Sequence, residues 1–340
     1  MAEFYVYAGL AGDTDPGRFL SSGLYRSRNG DGDWESIGEN VAPSPQVRAI
    51  LTDPAHPGRV TIGLQDGVWR SDDRGNSWRR LSAPAPGLAV WSLARHPREP
   101  RTIFAGYEPC AIVRSLDDGA TWDKLPVEAT FPDITMRPEP LPKRVLAIAA
   151  DPADPDEIYA GLEIGGLIRS LDGGWTWTSV IDGLYINEAA VDLHAVVVSP
   201  VHAGAVTVAT RIGVFRSLDR GGHWRDLAAP PLRPAGTYCR ALAYAPGAPA
   251  ALYLAGGNDF DGDRGALFVS DDDAATWRIL DLGAPLKTTV FAVAVDPNRP
   301  DHVFCTTKIG QVFGSTDRGK HWRMNALPAG VGHVFALAVG

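Results

Sequence analysis

Short runs of apolar residues recur along the whole chain, and polar turn residues separate them. A typical unit has an apolar run, a turn that contains proline, and a second apolar run that ends near Ala-Gly. Examples are 47–63 (VRAILTDPAHPGRVTIG), 145–161 (VLAIAADPADPDEIYAG) and 290–306 (VFAVAVDPNRPDHVFCT). Because proline cannot donate a hydrogen bond to a β-ladder, it marks the turn between two strands. The pattern predicts a repeated β-hairpin, whose two strands we call A and B.

An eight-residue phrase follows each predicted hairpin and occurs seven times. It has Asp or Asn two residues after an initial Ser, usually Gly four residues after it, and Trp seven residues after it. Ser and Asp side chains bond to nearby backbone N–H groups in tight turns, and Gly supplies the backbone freedom that such turns need. The phrase therefore predicts a turn between two further strands, C and D. The phrases begin 44 to 55 residues apart, at Ser27, Ser71, Ser115, Ser170, Ser217, Ser270 and Ser315.

The Trp that ends each phrase carries a large apolar surface, and we expect it to be buried between neighbouring repeats. The seven residues are Trp34, Trp78, Trp122, Trp177, Trp224, Trp277 and Trp322.

Four strands per repeat and seven repeats predict an all-β fold, a seven-bladed β-propeller of four-stranded antiparallel blades. The end of the chain, 333–339 (HVFALAV), has the pattern of a strand A, and the beginning, 4–9 (FYVYAG), has that of a strand B. One blade is therefore expected to contain strands from both termini. This pairing would close the ring and remove exposed sheet edges. Residues 1–340 are predicted to form one domain.

The phrase S-x-D-x-G-x-x-W resembles the Asp-box, or BNR repeat, of sialidase-like β-propellers, and the resemblance covers nearly the whole chain. It implies the propeller fold, but its members include sialidases, two-propeller xyloglucanases, sortilin-like receptors and a photosystem II assembly factor. The segments 151–161 (DPADPDEIYAG) and 169–177 (RSLDGGWTW) resemble the xyloglucanases more closely. Those enzymes cleave in a cleft between two propellers, whereas these repeats account for one.

Sialidases hold a carboxylate with three arginines, and the resemblance implies Arg48, Arg144 and Arg240 as candidates for such a clamp. The F-R-I-P-like motif of sialidases is absent, since its nearest match, 46–49 (QVRA), lacks the proline. The resemblance therefore predicts the fold more specifically than the activity.

Composition excludes several kinds of partner. The net charge is −8 and the chain has no basic run, so no nucleic-acid binding is predicted. No apolar stretch approaches the roughly 20 residues of a membrane helix, so no membrane association is predicted either. The three cysteines, Cys110, Cys239 and Cys305, do not resemble a disulfide framework. A cytoplasmic protein without a cofactor is the expectation.

Turn lengths differ between the two rims of the predicted propeller. The A–B and C–D turns have nearly constant lengths and lie on one rim, which we call the scaffold rim. The B–C and D–A connections lie on the other rim, which we call the variable face. Its long loops are 10–22, 127–143, 182–192 and 257–265. Because loops on a rigid scaffold are where binding and catalysis concentrate, the variable face is the predicted functional face.

Polar and aromatic residues near the ends of strands A and B are predicted to converge on the variable face. The candidate ligand-binding residues are Arg48, Trp91, Arg144, Asp192, Arg211, Arg240, Lys308 and His333. Glu108 and Glu163 are the candidate acid and base, with His194 and Tyr238 as alternatives. Such a set suits a small polar or anionic ligand in a central pocket, such as a sugar or a carboxylate. Glycosidase-like hydrolysis or a lyase reaction is compatible with it.

Two alternatives remain open at this point. One is a non-catalytic propeller whose variable face binds a protein partner, as an assembly factor would. The other is a metal site, which would need His194 and His333 together with Asp192 or Glu188. The chain has no spacing typical of metal ligands, so no metal is predicted.

Overall fold

The computed structural model describes residues 3–12, 22–129, 142–184, 186–234, 236–247 and 250–340. Within these residues, 28 strands form seven four-stranded antiparallel sheets. Two short 3-10 helices, Gly38–Asn40 and Glu188–Ala190, are the helical elements of the described chain. The predicted all-β, seven-bladed propeller is confirmed.

The blades follow one another along the chain, and each runs from an inner strand A to an outer strand D. Blade 1 contains β28 (Val334–Val339), β1 (Tyr5–Leu10), β2 (Gly23–Arg28) and β3 (Trp34–Ser36). Blade 2 contains β4 (Ala49–Thr52), β5 (Val60–Leu64), β6 (Gly67–Ser71) and β7 (Arg79–Arg80). Blade 3 contains β8 (Ala89–Arg95), β9 (Ile103–Glu108), β10 (Ala111–Ser115) and β11 (Asp123–Lys124). Blade 4 contains β12 (Arg144–Ala150), β13 (Ile158–Glu163), β14 (Gly166–Ser170) and β15 (Thr178–Ser179).

The remaining three blades have the same order. Blade 5 contains β16 (Leu193–Val198), β17 (Val206–Thr210), β18 (Val214–Ser217) and β19 (Arg225–Asp226). Blade 6 contains β20 (Tyr238–Ala245), β21 (Ala251–Gly257), β22 (Gly265–Ser270) and β23 (Arg278–Ile279). Blade 7 contains β24 (Val290–Asp296), β25 (Arg299–Thr307), β26 (Val312–Ser315) and β27 (Arg323–Met324).

Blade 1 combines both ends of the described chain, as predicted. Strand β28 pairs antiparallel with β1, and Val339 lies opposite Val6. The backbone N–H of Tyr5 donates to the carbonyl of Gly340 over 2.9 Å. The ring is therefore closed by backbone hydrogen bonds between the first and last strands.

The fixed spacing between strands A and B reflects a fixed register. Six pairs of residues, each 14 positions apart in the sequence, lie directly opposite one another in the inner hairpins. The pairs are Ala49–Gly63, Ser92–Gly106, Ala147–Gly161, Ala195–Ala209, Ala241–Ala255 and Ala292–Thr306.

Blades pack closely because small residues stand on strand B where the next blade approaches. A Cβ atom on Gly63 would lie 2.6 Å from a methyl group of Val90, and one on Gly106 would lie 2.5 Å from a methyl group of Val145. Both distances are too short for a side chain. Glycine at these positions therefore sets the distance between neighbouring blades.

The repeated phrase folds as a turn that is stabilised by its own side chains. In blade 4, Ser170 Oγ accepts the backbone N–H of Gly174 over 2.8 Å and donates to Asp172 over 2.8 Å. Asp172 in turn accepts the backbone N–H and the hydroxyl of Thr176. The repeated turn therefore depends on a Ser side chain that is only 1% exposed.

The Trp residues of the phrase lie between blades, but most of them are less buried than predicted. Trp122 and Trp177 are buried, and the other five are half-buried. The turn lies at the scaffold rim, where the Nε1 atom of Trp177 donates to the carbonyl of Gly174 over 2.9 Å. The edge of this buried indole is thus bonded to the polar turn while its ring packs in the apolar cluster between blades.

Five arginines that precede the phrase link each blade to the turn of the next. Each guanidinium donates a hydrogen bond to the turn of the next blade. The pairs are Arg26–Arg74, Arg70–Asp118, Arg114–Gly173, Arg169–Arg220 and Arg216–Asp273. Blades 6 and 7 have Val269 and Gly314 at this position and lack the link. These arginines belong to the scaffold, as their recurrence in the sequence indicates.

No helix in the described part of the chain has the length and apolar character that crossing a membrane requires.

Candidate functional site

The inner strands bulge at one equivalent position where they reach the variable face. The register of the inner hairpin skips Trp91, His194 and Arg240, each of which directly precedes a paired residue. Leu146, Phe291 and Phe335 are skipped in the same way, and Arg48 occupies the corresponding position before β4. A bulge leaves one residue out of the ladder and re-aims its side chain. We call these seven residues the bulge ring.

All seven members of the bulge ring line a cavity in the central channel. The cavity has a volume of about 260 Å³. Small residues, such as Ala49, Ala147, Ala195 and Ala241, lie next to the ring and line the same cavity. The bulges therefore place two arginines, a histidine and three aromatic rings around one concavity.

Three arginines rest on aromatic rings at the channel mouth, which is the part of the central cavity that the bulge ring lines. The guanidinium carbons of Arg48 and Arg144 lie 4.6 Å and 4.5 Å from the ring centroid of Trp91. The guanidinium carbon of Arg240 lies 4.4 Å from the ring centroid of Phe291. Such cation–π contacts hold a guanidinium in place without neutralising its charge.

Arg48 and Arg240 make no ion pair with any carboxylate in the described residues. The Nε and Nη1 atoms of Arg48 are buried and make no hydrogen bond there. Burial lowers the pKa of Arg48 to about 10, and the nearby charge of Arg144 also lowers it, while Glu108 acts in the opposite direction. A buried guanidinium without an anionic partner is costly, so this arrangement favours an anion.

A second pocket adjoins the channel and shares His194 with it. It has a volume of about 240 Å³. Its lining residues are Pro142, Arg144, Glu163, Ile164, Asp192, His194, Arg211, Tyr238 and Phe260. The structure thus brings six of the twelve predicted site residues into this side pocket, and Arg48, Trp91 and Arg240 into the channel next to it.

Arg144 lies between the two candidate catalytic carboxylates. Its Nε atom is 3.0 Å from Glu108 Oε2, and its Nη1 atom is 2.7 Å from Glu163 Oε2. Burial lowers the pKa of Arg144, but the two carboxylates raise it more, so its net shift is upward. The predicted cation and the predicted acid/base pair therefore form one charge cluster.

His194 is a neutral imidazole with a defined tautomer. Its Nδ1 atom lies 2.7 Å from the carbonyl oxygen of Cys239, which can only accept, so the proton is on Nδ1. Burial and the charge of Arg240 lower the pKa of His194 to about 3. The Nε2 atom is therefore a hydrogen-bond acceptor at neutral pH, 3.6 Å from Asp192 Oδ1.

Asp192 and Tyr238 complete the wall around His194. Burial raises the pKa of Asp192, although Arg211 and Arg240 oppose the shift, and Oδ1 makes no hydrogen bond within the described residues. Burial also raises the pKa of Tyr238, whose ring centroid lies 4.9 Å from that of His194. Tyr238 is consequently a neutral phenol at physiological pH.

Two predicted ligand-binding residues lie outside both cavities. The ammonium of Lys308 is 2.5 Å from Asp261 Oδ1 and 3.3 Å from the ring centroid of Phe260, so its charge is already paired. His333 has a positive φ of 60°, and its carbonyl accepts the backbone N–H of Ala11. Neither residue lines the channel or the side pocket.

Three aromatic residues of the site were not predicted, namely Phe260, Phe291 and Phe335. Phe291 and Phe335 belong to the bulge ring, and their ring centroids are 5.2 Å apart. Each directly precedes a strand A residue that pairs with strand B, as Trp91 precedes Ser92. Taking the residue at this position in every repeat would therefore have identified both. Phe260 comes from the predicted long loop 257–265. Residues 13–21, 130–141 and 185 of the other long loops lie outside the described residues.

Within the described ranges, no group of three or more His, Cys, Asp or Glu side chains is placed to hold a metal ion.

The chain is similar in sequence to xyloglucanases. It is 30% identical to a xyloglucanase of Acetivibrio thermocellus over 168 residues, which cover 39% of this chain and 20% of that protein. It is 26% identical to a xyloglucanase of Hypocrea jecorina over 318 residues, covering 78% and 36% of the two chains. These matches span a fifth to about a third of the relatives' lengths. No protein-family model matches the sequence.

Solved structures share the fold at low sequence identity. The GH74 xyloglucanase from Xanthomonas campestris has a TM-score of 0.61 at 22% identity, covering 82% of this chain and 45% of that one. YCF48 from Cyanidioschyzon merolae has a TM-score of 0.55 at 17% identity, covering 85% and 86%. The protein is thus a seven-bladed β-propeller similar to xyloglucanases, and it matches under half of the solved xyloglucanase but most of YCF48.

Proposed function

We propose that the protein binds a small anionic ligand, such as a carboxylate or an acidic sugar, at the channel mouth on the variable face. The observation that carries this proposal is the guanidinium of the half-buried Arg48, whose buried Nε and Nη1 atoms make no hydrogen bond in the described structure. Arg240, on the other side of the same cavity, rests on the ring face of Phe291 and forms no ion pair with a carboxylate of the described residues. The bulge geometry and the phrase turn support assigning the repeat to the Asp-box type.

Charge and shape both favour this ligand. The protein has a net charge of −8, yet the channel mouth presents two unneutralised guanidinium groups. Guanidinium groups bind carboxylates through two parallel N–H donors. The neutral His194 adds an acceptor for a hydroxyl group, and Trp91 adds an aromatic surface in the same cavity. An acidic sugar has a carboxylate for the guanidinium groups, hydroxyl groups that can donate to His194, and a ring that can pack on Trp91.

Binding of glucuronate, measured by isothermal titration calorimetry, tests the proposal. We expect saturable binding to the wild type. Replacing Arg240 with Gln removes a charge-assisted bond, so it should weaken binding by roughly 1.5–3 kcal/mol, or about ten- to a hundredfold. Arg98→Gln, at an exposed position on the scaffold rim, is the matched control and should bind normally. Equal affinity of the Arg240 and Arg98 variants would contradict the proposal.

A second candidate function is glycoside hydrolysis, which the similarity to xyloglucanases and the carboxylate cluster favour. Glu108 and Glu163 would act as acid and base. Because their Oε2 atoms contact neighbouring nitrogens of Arg144, those oxygens lie at most about 8 Å apart, within the range of roughly 5–10 Å that glycosidases use. Displacement of Arg144 would have to precede proton donation by either residue.

Release of reducing sugar from xyloglucan tests this second candidate. If hydrolysis occurs, Glu108→Gln and Glu163→Gln should each abolish it, because an amide can act neither as acid nor as nucleophile. Glu99→Gln, at an exposed position on the scaffold rim, should retain full activity. Activity that survives both site substitutions would refute the assignment of the acid/base pair. Absence of both ligand binding and hydrolysis would favour the protein-binding alternative.

A further inference from the structure

We infer that the channel mouth is built for a dianion, with one anionic group held by Arg48 and the other by Arg240. This inference rests on the proposed function and specifies the ligand's charge. Arg48 belongs to blade 2 and Arg240 to blade 6. Three blade steps separate them, which is the largest separation that a ring of seven permits. The two guanidinium groups therefore approach the same cavity from opposite sides.

On the shorter way round the ring, Phe291 and Phe335 lie between Arg240 and Arg48, and Trp91 follows Arg48 in the next blade. The ring centroid of Phe335 lies 6.3 Å from that of Trp91 and 5.2 Å from that of Phe291. Arg48 rests on the first ring of this arc, and Arg240 rests on the last. Each end of this aromatic surface thus carries one arginine that forms no ion pair with a described carboxylate, beside a second cation that does, Arg144 at Trp91 and Lys308 at Phe291. A ligand that matches this pattern has an apolar middle and an anionic group at each end.

Within the described residues, no carboxylate forms an ion pair with either of these two cations, although the charge of Glu108 acts on Arg48 and that of Arg240 acts on Asp192. Glu108 and Glu163 are bound by Arg144, and Asp261 is bound by Lys308. Asp192 is buried, and burial raises its pKa although the charges of Arg211 and Arg240 act in the opposite direction. A monoanion would leave one of the two guanidinium groups without a partner, whereas a dianion would neutralise both.

The cavity volume limits the length of the ligand. A volume of about 260 Å³ corresponds to roughly nine water molecules, which suits a dicarboxylate of about four to six carbons. The arc from Trp91 to Phe291 gives the methylene groups of such a chain an apolar surface. Longer dicarboxylates would have to extend out of the channel.

A series of carboxylates measured by isothermal titration calorimetry at constant ionic strength tests the inference. The probes are succinate, glutarate and adipate, each compared with the monocarboxylate of equal chain length and with glutaramide. We expect one of the dicarboxylates to bind at least about tenfold more tightly than its monocarboxylate counterpart, because it makes a second charge-assisted bond. Glutaramide should not bind.

Substitutions of Arg48 and Arg240 then test whether each arginine binds one end of the dicarboxylate. Arg48→Gln and Arg240→Gln should each reduce the dicarboxylate to the affinity of the monocarboxylate, and the double variant should bind neither. Arg98→Gln should retain the preference. Equal affinity of mono- and dicarboxylates for the wild type would overturn the inference and leave the proposed function intact. Failure of every carboxylate to bind would overturn both. Both of these outcomes are measured on the wild type, so they do not depend on whether a variant folds.

Discussion

A single extra residue in each inner strand decides which side chains face the channel. In regular strands, neighbouring side chains alternate between the two faces of the sheet. The bulge breaks this alternation at Trp91, His194 and Arg240, so that each of these side chains lines the central cavity. The site is therefore made by a local irregularity that recurs around the ring, rather than by the long loops alone.

His194 should make the protein sensitive to acid. Its pKa is about 3 in the folded state against 6.5 for an ordinary histidine, because burial disfavours the charged ring. A depressed pKa contributes stability that is present above 6.5 and is lost as the pH falls toward 3. Between pH 7 and 4.5 the loss should be about 2–3 kcal/mol. The free energy of unfolding, measured by urea denaturation at both pH values, gives this difference.

The comparison variant for this test is His194→Asn, whose side-chain amide can still donate to the carbonyl of Cys239. It lacks the titrating ring and should lose markedly less stability between pH 7 and 4.5. Asp192, whose pKa is raised, acts in the opposite direction in both proteins and so cancels in the comparison. Equal acid sensitivity of the two proteins would show that His194 does not titrate as proposed.

Of the bulge-ring residues that line the cavity, the sequence predicted Arg48, Trp91, His194 and Arg240 and missed Leu146, Phe291 and Phe335. Arg48, His194 and Arg240 were found because charged residues at strand ends are conspicuous. Phe291 and Phe335 occupy equivalent positions, but an aromatic residue in an apolar strand looks like core. The pairing of Arg144 with Glu108 and Glu163 could not be predicted, because the two carboxylates come from different blades and the bulge at Leu146 decides which residue of strand A lies opposite Glu163.

The scaffold rim is built from one turn used seven times. In six of the seven turns a buried Ser hydroxyl, such as that of Ser170, accepts a backbone N–H and donates to the Asp of the phrase, whereas Ser27 of blade 1 donates to Asp31. Five of the seven inter-blade junctions add an arginine that reaches the next turn. The register of the inner hairpins was predictable because the spacing between strands A and B is constant. The burial of the Trp residues was overestimated, since five of the seven are half-buried.

Removing one turn hydroxyl should destabilise the protein without affecting the site. Ser170→Ala leaves the backbone N–H of Gly174 buried without its acceptor, at a cost of about 1–3 kcal/mol. Thr178→Ala, at an exposed position in β15, is the control and should change stability little. Urea denaturation measures both. A Ser170 variant as stable as the control would mean that the turn does not depend on this bond.

An inter-blade arginine should affect stability and leave ligand binding unchanged. Arg216 is buried and pairs with Asp273, which also accepts bonds from Tyr244 and Ser199. Replacing Arg216 with Gln leaves a buried carboxylate without its cation, so we expect a loss of about 2–4 kcal/mol. Carboxylate affinity should remain that of the wild type, since Arg216 lies on the scaffold rim. Weakened binding with unchanged stability would reverse the assignment of the two faces.

On the scale of the whole molecule, the closure between β28 and β1 holds seven similar sheets in one ring. Both strands could be assigned from the sequence, because the terminal segments complete the pattern of a single hairpin. The ring in turn brings residues that are far apart in sequence, such as Arg48 and Arg240, to one cavity. In the described residues, two arginines of the channel mouth form no ion pair although the chain is acidic, an arrangement that composition alone could not predict.

Breaking the closing strand should prevent formation of the ring. Ala338 lies opposite Tyr7 in the middle of the β28–β1 pair. Proline at position 338 would restrict the strand and expose the edge of β1, which favours association between chains. We expect the Ala338→Pro variant to elute as aggregates in size-exclusion chromatography, whereas Ala338→Val should elute like the wild type. A monomeric Ala338→Pro protein with native circular dichroism would show that closure is dispensable.

The central claim is that the unneutralised arginines of the channel mouth form an anion site. The most direct test is a crystal soaked in bromide and measured at the bromine absorption edge, because the anomalous signal locates the anion without assumptions about the ligand. We predict that the strongest peak lies inside the channel mouth, within contact of Arg48 or Arg240. Bromide peaks confined to the scaffold rim and the outer strands, with none in the channel, would contradict the claim.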